Sequence, residues 1–136
     1  MNDTRTKALL IVSGLILISV GAGILFWPHG FYESNGTVLG DEPGLLSEVR
    51  ASGGLLLGCG LIVFLAAFRS LLRRQALGLS ALVFIAYGLA RLASMAMDGM
   101  PSTSLVVSTG IELLAGVLCV LELRQLRAST LVRVME

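Results

Sequence analysis

The sequence predicts an all-α fold: one membrane-spanning four-helix bundle with both the N-terminus and the C-terminus in the cytoplasm. Three observations predict it. The 136 residues are 55% hydrophobic and only 14% charged, whereas ordinary soluble domains have roughly 25% charged residues. The apolar residues form four continuous runs, and most basic residues lie at alternate ends of these runs. The mean hydropathy of +0.87 excludes an ordinary soluble domain, because so small a domain cannot bury that much apolar surface.

Each apolar run is long enough to cross a membrane, which takes roughly 17–25 helical residues. We predict one transmembrane domain over residues 1–136, with Ser47 capping the second helix and Asp98-Gly99 ending the third. The first run resembles a signal peptide at its basic start, but it is too long and lacks a cleavage site. The predicted helices cover about 8–27, 48–68, 76–97 and 104–123, with an outer loop over 28–47 of irregular structure or a short interfacial turn.

The basic residues predict the orientation. Eight of the ten lie on one side of the predicted membrane, while the two opposite loops contain acidic residues and no Lys or Arg. Cytoplasmic loops are enriched in Lys and Arg, so this side is assigned to the cytoplasm and the protein to the inner (plasma) membrane as a multi-pass protein. The eight residues are Arg5, Lys7, Arg69, Arg73, Arg74, Arg124, Arg127 and Arg133.

The remaining two basic residues are Arg50, at the outer mouth of the second helix, and Arg91, inside the third. At 1.5 Å per residue, Arg91 lies roughly 9 Å and Glu112 roughly 10 Å below the outer surface. A short loop joins their helices, so the two charges are expected at nearly the same depth on adjacent antiparallel helices. Three interpretations of Arg91 stay open: an ion pair with Glu112, a side chain that reaches outward to the headgroups, or a ligand or proton site.

Other residues extend this predicted polar cluster. Tyr87, Ser94 and Asp98 share the helix face of Arg91, and Glu48 and Arg50 are expected to form an interfacial pair. Small residues allow helices to approach closely. The candidate helix-packing glycines are Gly54, Gly58, Gly88 and Gly116.

No catalytic motif is apparent, so no catalytic residue is assigned. Cys59 and Cys119 are expected to be buried apolar residues, and His29 without neighbouring acids or thiols is a poor metal site. We expect no metal, no cofactor and no nucleic-acid partner. The expected partners are the lipid bilayer and, as an alternative left open, a second copy or another membrane protein.

The polar residues stand in motifs that resemble a known family. These are Ser47-Glu48-Val49-Arg50-Ala51, followed by Gly53-Gly54, and then Arg91-Leu92-x-Ser94 with Asp98-Gly99-x-Pro101 and a lone Glu112. Over residues 14–123 the chain resembles small bacterial four-helix membrane proteins of unknown function, loosely similar to DoxX-like proteins. The resemblance implies a bacterial inner-membrane location and no particular reaction.

Three functions remain open. The sequence favours a non-enzymatic accessory or structural membrane component whose Arg/Glu cluster fixes the bundle. The second is a small-molecule or proton-coupled carrier, which ranks lower because a neighbouring Arg91 would favour the charged form of Glu112. The third is a membrane enzyme acting on a lipid or quinone-like substrate, which no nucleophile or metal set supports.

Overall fold

A computed structural model describes the backbone of residues 3–135 and the side chains of residues 4–126. It is all-helical over this range, and four of its helices are long and apolar enough to span a membrane. The predicted all-α class with four spanning helices is therefore confirmed. The elements in order are α1 (Asp3–Phe26), α2 (Pro28–Ser34), α3 (Pro43–Ala66), a 3-10 turn (Ser70–Leu72), α4 (Arg73–Asp98) and α5 (Thr103–Met135).

Two helix ends differ from the predicted ones. α3 begins at Pro43, after Glu42 in an extended conformation, and proline suits the first position of a helix because its φ is already helical. Ser47 therefore lies inside α3, and its predicted capping role is wrong. α5 continues beyond residue 123 to Met135, through a stretch rich in good helix formers. The side chains of Arg127 and Arg133 lie outside the described residues.

The predicted outer loop contains the short helix α2. Ser34 Oγ and Asn35 Nδ2 each donate to the carbonyl of Phe31 over 2.8 Å, and Gly36 leaves the helix with φ +77°. Ser102 Oγ then donates to the Asn35 carbonyl over 2.6 Å. This bond ties the α2 segment to the α4–α5 connection, so the two loops form one end of the bundle, the loop end.

The helices are arranged as two antiparallel hairpins. α1 packs along α3 and α4 along α5, whereas contacts between the hairpins are much less extensive. In the first hairpin the backbones nearly touch, because a Cβ at Gly21 would lie 2.4 Å from the Leu57 nitrogen. In the second, Gly88 faces the side chain of Leu113 and Gly116 faces Ile85. Glycine at these positions permits the close approach.

Gly54 and Gly58 lie elsewhere. A Cβ added at either position would meet no atom within 4 Å, so neither glycine packs against another helix of this chain, and a contact with a second copy stays a prediction. α3 is rotated so that a different set of residues faces α1. That set alternates spacings of four and three, the repeat of a coiled-coil seam: Val49, Gly53, Leu56, Gly60 and Val63.

The outer surface of the bundle is apolar. Leu55 on α3, Leu82 on α4 and Leu114 on α5 are 69%, 67% and 61% exposed. Soluble proteins rarely expose contiguous apolar surface of this kind, whereas the apolar tails of lipids can cover it in a membrane. The end opposite the loop end, the basic end, carries Arg5, Lys7, Arg69, Arg73, Arg74 and Arg124. The chain is therefore a multi-pass membrane protein.

Candidate functional site

The central feature of the site is the contact between Arg91 on α4 and Glu112 on α5. The helices bring these residues together because Gly99, with φ +99°, ends α4 and only four residues connect it to α5. Arg91 Nε lies 3.1 Å from Glu112 Oε2, and the side chains are 29% and 16% exposed. Neither buried atom has a well-aligned hydrogen bond within residues 4–126. The two atoms are thus in ionic contact without a well-aligned hydrogen bond between them.

A cavity borders the pair between the two hairpins. Its polar wall is formed by Tyr87, Arg91 and Glu112, and its apolar wall includes Val20 of α1 and Leu56 of α3. All four spanning helices therefore contribute to it. Its volume is about 40 Å³. A water molecule needs roughly 10–15 Å³ measured in this way, so the cavity has room for a few waters or a small polar group.

A second cavity of about 100 Å³ lies towards the loop end, between α4 and the start of α5. It is lined by Arg91 together with Ser94, Gly99 and Leu105, among others. Arg91 therefore borders both cavities. Its side chain stands between a cavity at the end of the bundle and one among the four helices.

Of the other predicted residues of α4, Tyr87 lines the inter-hairpin cavity, Ser94 lines the cavity towards the loop end and Asp98 lines neither. Tyr87 borders the inter-hairpin cavity beside Arg91 and Glu112. Ser94 Oγ donates to Asp98 Oδ2 over 2.9 Å on the exposed surface. This bond lies within one helical turn and leaves Asp98 outside the Arg91–Glu112 contact.

The predicted pair of Glu48 and Arg50 does not form. Residues two apart on a helix point in different directions. Arg50 Nη1 instead donates to the Leu25 carbonyl over 3.2 Å, and Glu48 is exposed. A cation at the last turn of α1 satisfies one of its free carbonyls and opposes the helix dipole. Arg50 thus ties α3 to α1 and takes no part in the cavity.

The family described as Domain of unknown function (DUF4345) matches residues 5–123, from α1 into α5, and so covers nearly all of the bundle. The chain belongs to the DUF4345 family. No curated protein matches it, and no solved structure does. Family and fold together make it a small four-helix membrane protein of unknown function.

This DUF4345 chain also contains a polar layer at the basic end that the sequence analysis missed. Thr6 on α1 donates a hydrogen bond to Glu122 on α5, and the Ser13 hydroxyl lies 3.9 Å from the Cys119 thiol. Ser80 on α4 is also fully buried, and its hydroxyl has no hydrogen-bond partner within residues 4–126. The available signal was Glu122, an acid directly after an apolar run and level with Thr6. These contacts join the two hairpins.

Proposed function

We propose that this protein is a non-enzymatic membrane component that binds a small amphipathic molecule between its two hairpins. In this proposal Arg91 and Glu112 hold the polar group of the molecule, and the apolar side chains of α1 and α3 face the rest of it. One observation carries the proposal. The partly buried ion pair borders a cavity that all four spanning helices line, and is not enclosed by packed side chains.

The pair defines the chemistry of the head group. The Arg91 guanidinium only donates hydrogen bonds, whereas the Glu112 carboxylate only accepts them. Each group has further donor or acceptor atoms besides the two that are in contact. A head group that both accepts and donates hydrogen bonds satisfies both, as in a protonated carboxylic acid, an amide or the hydroxyl of a quinol. Such a group avoids the cost of unpaired polar atoms in the membrane interior.

The size of the cavity limits how much of a ligand it can hold. Pockets for drug-sized molecules span roughly 300–1,000 Å³, far more than the 40 Å³ present. The cavity therefore holds the head group alone unless the hairpins move apart. Contacts between the hairpins are sparse compared with those inside each one. Separating the two hairpins therefore disrupts less packing than opening either hairpin would.

A carrier is the second candidate function, and the position of Arg91 favours it. Because Arg91 borders both cavities, rotation of this one side chain would connect the loop end of the bundle to its interior. A carrier requires such a route. A binding protein does not require such a route, so binding remains our first proposal.

Mass spectrometry of the intact protein in mild detergent tests the binding proposal. We expect the wild type to carry a bound small molecule in about one copy. Val83 lines the cavity, so Val83→Phe fills the space without touching the ion pair and should remove this molecule. The matched control is Leu82→Phe at a neighbouring lipid-facing position, which is 67% exposed and should retain it. Equal occupancy in the two variants would contradict the proposal, as would a wild type that carries only detergent and bulk lipid.

We also place both termini in the cytoplasm of a bacterium, with the protein in the inner membrane. The basic residues at one end of the bundle support this orientation, and the resemblance of the motifs to small bacterial four-helix membrane proteins supports the location. Reporter fusions after Arg74 and after Glu136 should therefore read cytoplasmic, and one near Gly40 external. A C-terminal fusion that reads external contradicts the orientation.

A further inference from the structure

A third cavity lies far from the Arg91–Glu112 pair, at the basic end. It is an open groove of about 350 Å³ between the start of α4 and α5. Its lining consists of Arg74, Gln75 and Gly78 from α4 and Leu123 from α5. The volume lies within the roughly 300–1,000 Å³ typical of small-molecule sites, so the groove accommodates a ligand without rearrangement.

The groove is polar at its mouth and apolar further in. Gly78 lies four residues beyond Arg74 along α4, about 6 Å deeper into the membrane. A Cβ at Gly78 would meet no atom within 4 Å, so the missing side chain leaves the wall of α4 open. Leu123 provides the apolar wall on α5. This order matches a membrane lipid, with its charged head at the surface and acyl chains below.

The charges around the groove favour an anion. Arg74 is exposed and makes no ion pair to any residue between 4 and 126. Its neighbour Arg73 is engaged elsewhere, since Arg73 Nε donates to the Ala67 carbonyl over 3.1 Å. Glu122, the acid next to Leu123, accepts a hydrogen bond from Thr6 on α1. No described acidic side chain is thus recorded as neutralising Arg74.

We infer that this groove binds the phosphate head group of an anionic membrane lipid, with Arg74 and Gln75 contacting the phosphate and Gly78 and Leu123 lying against the acyl chain. Basic pockets between spanning helices at the membrane surface are suited to such head groups. The apolar wall distinguishes a lipid from free phosphate, which would gain nothing from Leu123. The site shares no lining residue with the inter-hairpin cavity, so its test is independent of the proposed function.

The test titrates the full-length protein in neutral detergent with phosphatidylglycerol and, separately, phosphatidylethanolamine of the same acyl chains, with bound lipid counted by mass spectrometry of the intact protein. We expect phosphatidylglycerol to bind more tightly, and Arg74→Gln to weaken it about fivefold, the effect of roughly one basic residue at an anionic surface. Gly78→Leu should also weaken binding, because the leucine side chain fills the groove and leaves the charge in place.

Two control variants match these changes outside the groove. Arg5→Gln removes an exposed charge at the same end of the bundle, and Gly110→Leu adds a side chain where a Cβ meets no atom within 4 Å. Both should bind phosphatidylglycerol as the wild type does. The inference is overturned if Arg5→Gln weakens binding as much as Arg74→Gln, if both lipids bind equally, or if equimolar inorganic phosphate displaces the lipid.

Discussion

Replacing Arg91 with leucine is expected to lower the free energy of unfolding by about 2–4 kcal/mol, because it leaves the Glu112 carboxylate unpaired in a low-dielectric interior. Glu112→Leu should have an effect of similar size for the converse reason. The contact that is lost is the 3.1 Å approach of Arg91 Nε to Glu112 Oε2. Reversible unfolding in mixed detergent, followed by circular dichroism, measures both effects.

The double variant Arg91→Leu/Glu112→Leu should recover part of the loss, since removing both charges leaves no uncompensated one. Arg5→Leu is the control, because Arg5 is exposed at the basic end and should change stability little. Strict additivity of the two single effects would show that the residues act independently. If the double variant is stable but no longer carries the bound molecule, the pair serves binding as well as stability.

Gly21→Leu is expected to destabilise the protein by about 3 kcal/mol, the upper part of the usual range for overpacking. A Cβ at Gly21 would lie 2.4 Å from the backbone nitrogen of Leu57 and 2.8 Å from the carbonyl oxygen of Gly53. Both atoms are backbone, so no side chain can rotate away and α1 has to move from α3. The same unfolding experiment measures the loss.

Gly58→Leu is the matched control for this change. A Cβ at Gly58 has open space around it, so the substitution should leave the stability of the single chain within about 0.5 kcal/mol of the wild type. A loss as large as that of Gly21→Leu would contradict the assignment of the α1–α3 seam. A loss only in the oligomeric fraction, seen by size-exclusion chromatography, would instead indicate that a second copy covers Gly58.

The contact between Arg91 and Glu112 could be predicted from the sequence, because position along a helix follows from counting residues and a short loop makes the two helices antiparallel. The sequence could not show which glycines of α3 face α1, and the reason is physical. α1 and α3 are apolar on nearly all sides, so hydrophobicity does not distinguish the buried face from the lipid-facing one. Gly53 and Gly54 stand side by side in the sequence, yet only Gly53 contacts α1.

Other features depended on tertiary contacts that no local pattern encodes. Arg50 was predicted to pair with Glu48 from proximity in sequence, but it binds the Leu25 carbonyl of another helix. The Thr6–Glu122 contact joins residues 116 positions apart. The start of α3 at Pro43 is different, because the preference of proline for the first helical position is visible in the sequence, whereas the apolar run that predicts the helix begins later.

The placement of both charges on one hairpin affects how the chain enters the bilayer. A lone arginine or carboxylate near the centre of a spanning helix raises the free energy of insertion by roughly 2.5–3.5 kcal/mol. Arg91 and Glu112 belong to α4 and α5, which are joined by only four residues. Their charges can neutralise each other while this hairpin inserts, before it meets α1 and α3. When this hairpin then packs against α1 and α3, neither charge of the Arg91–Glu112 pair enters the interior of the bundle without its partner.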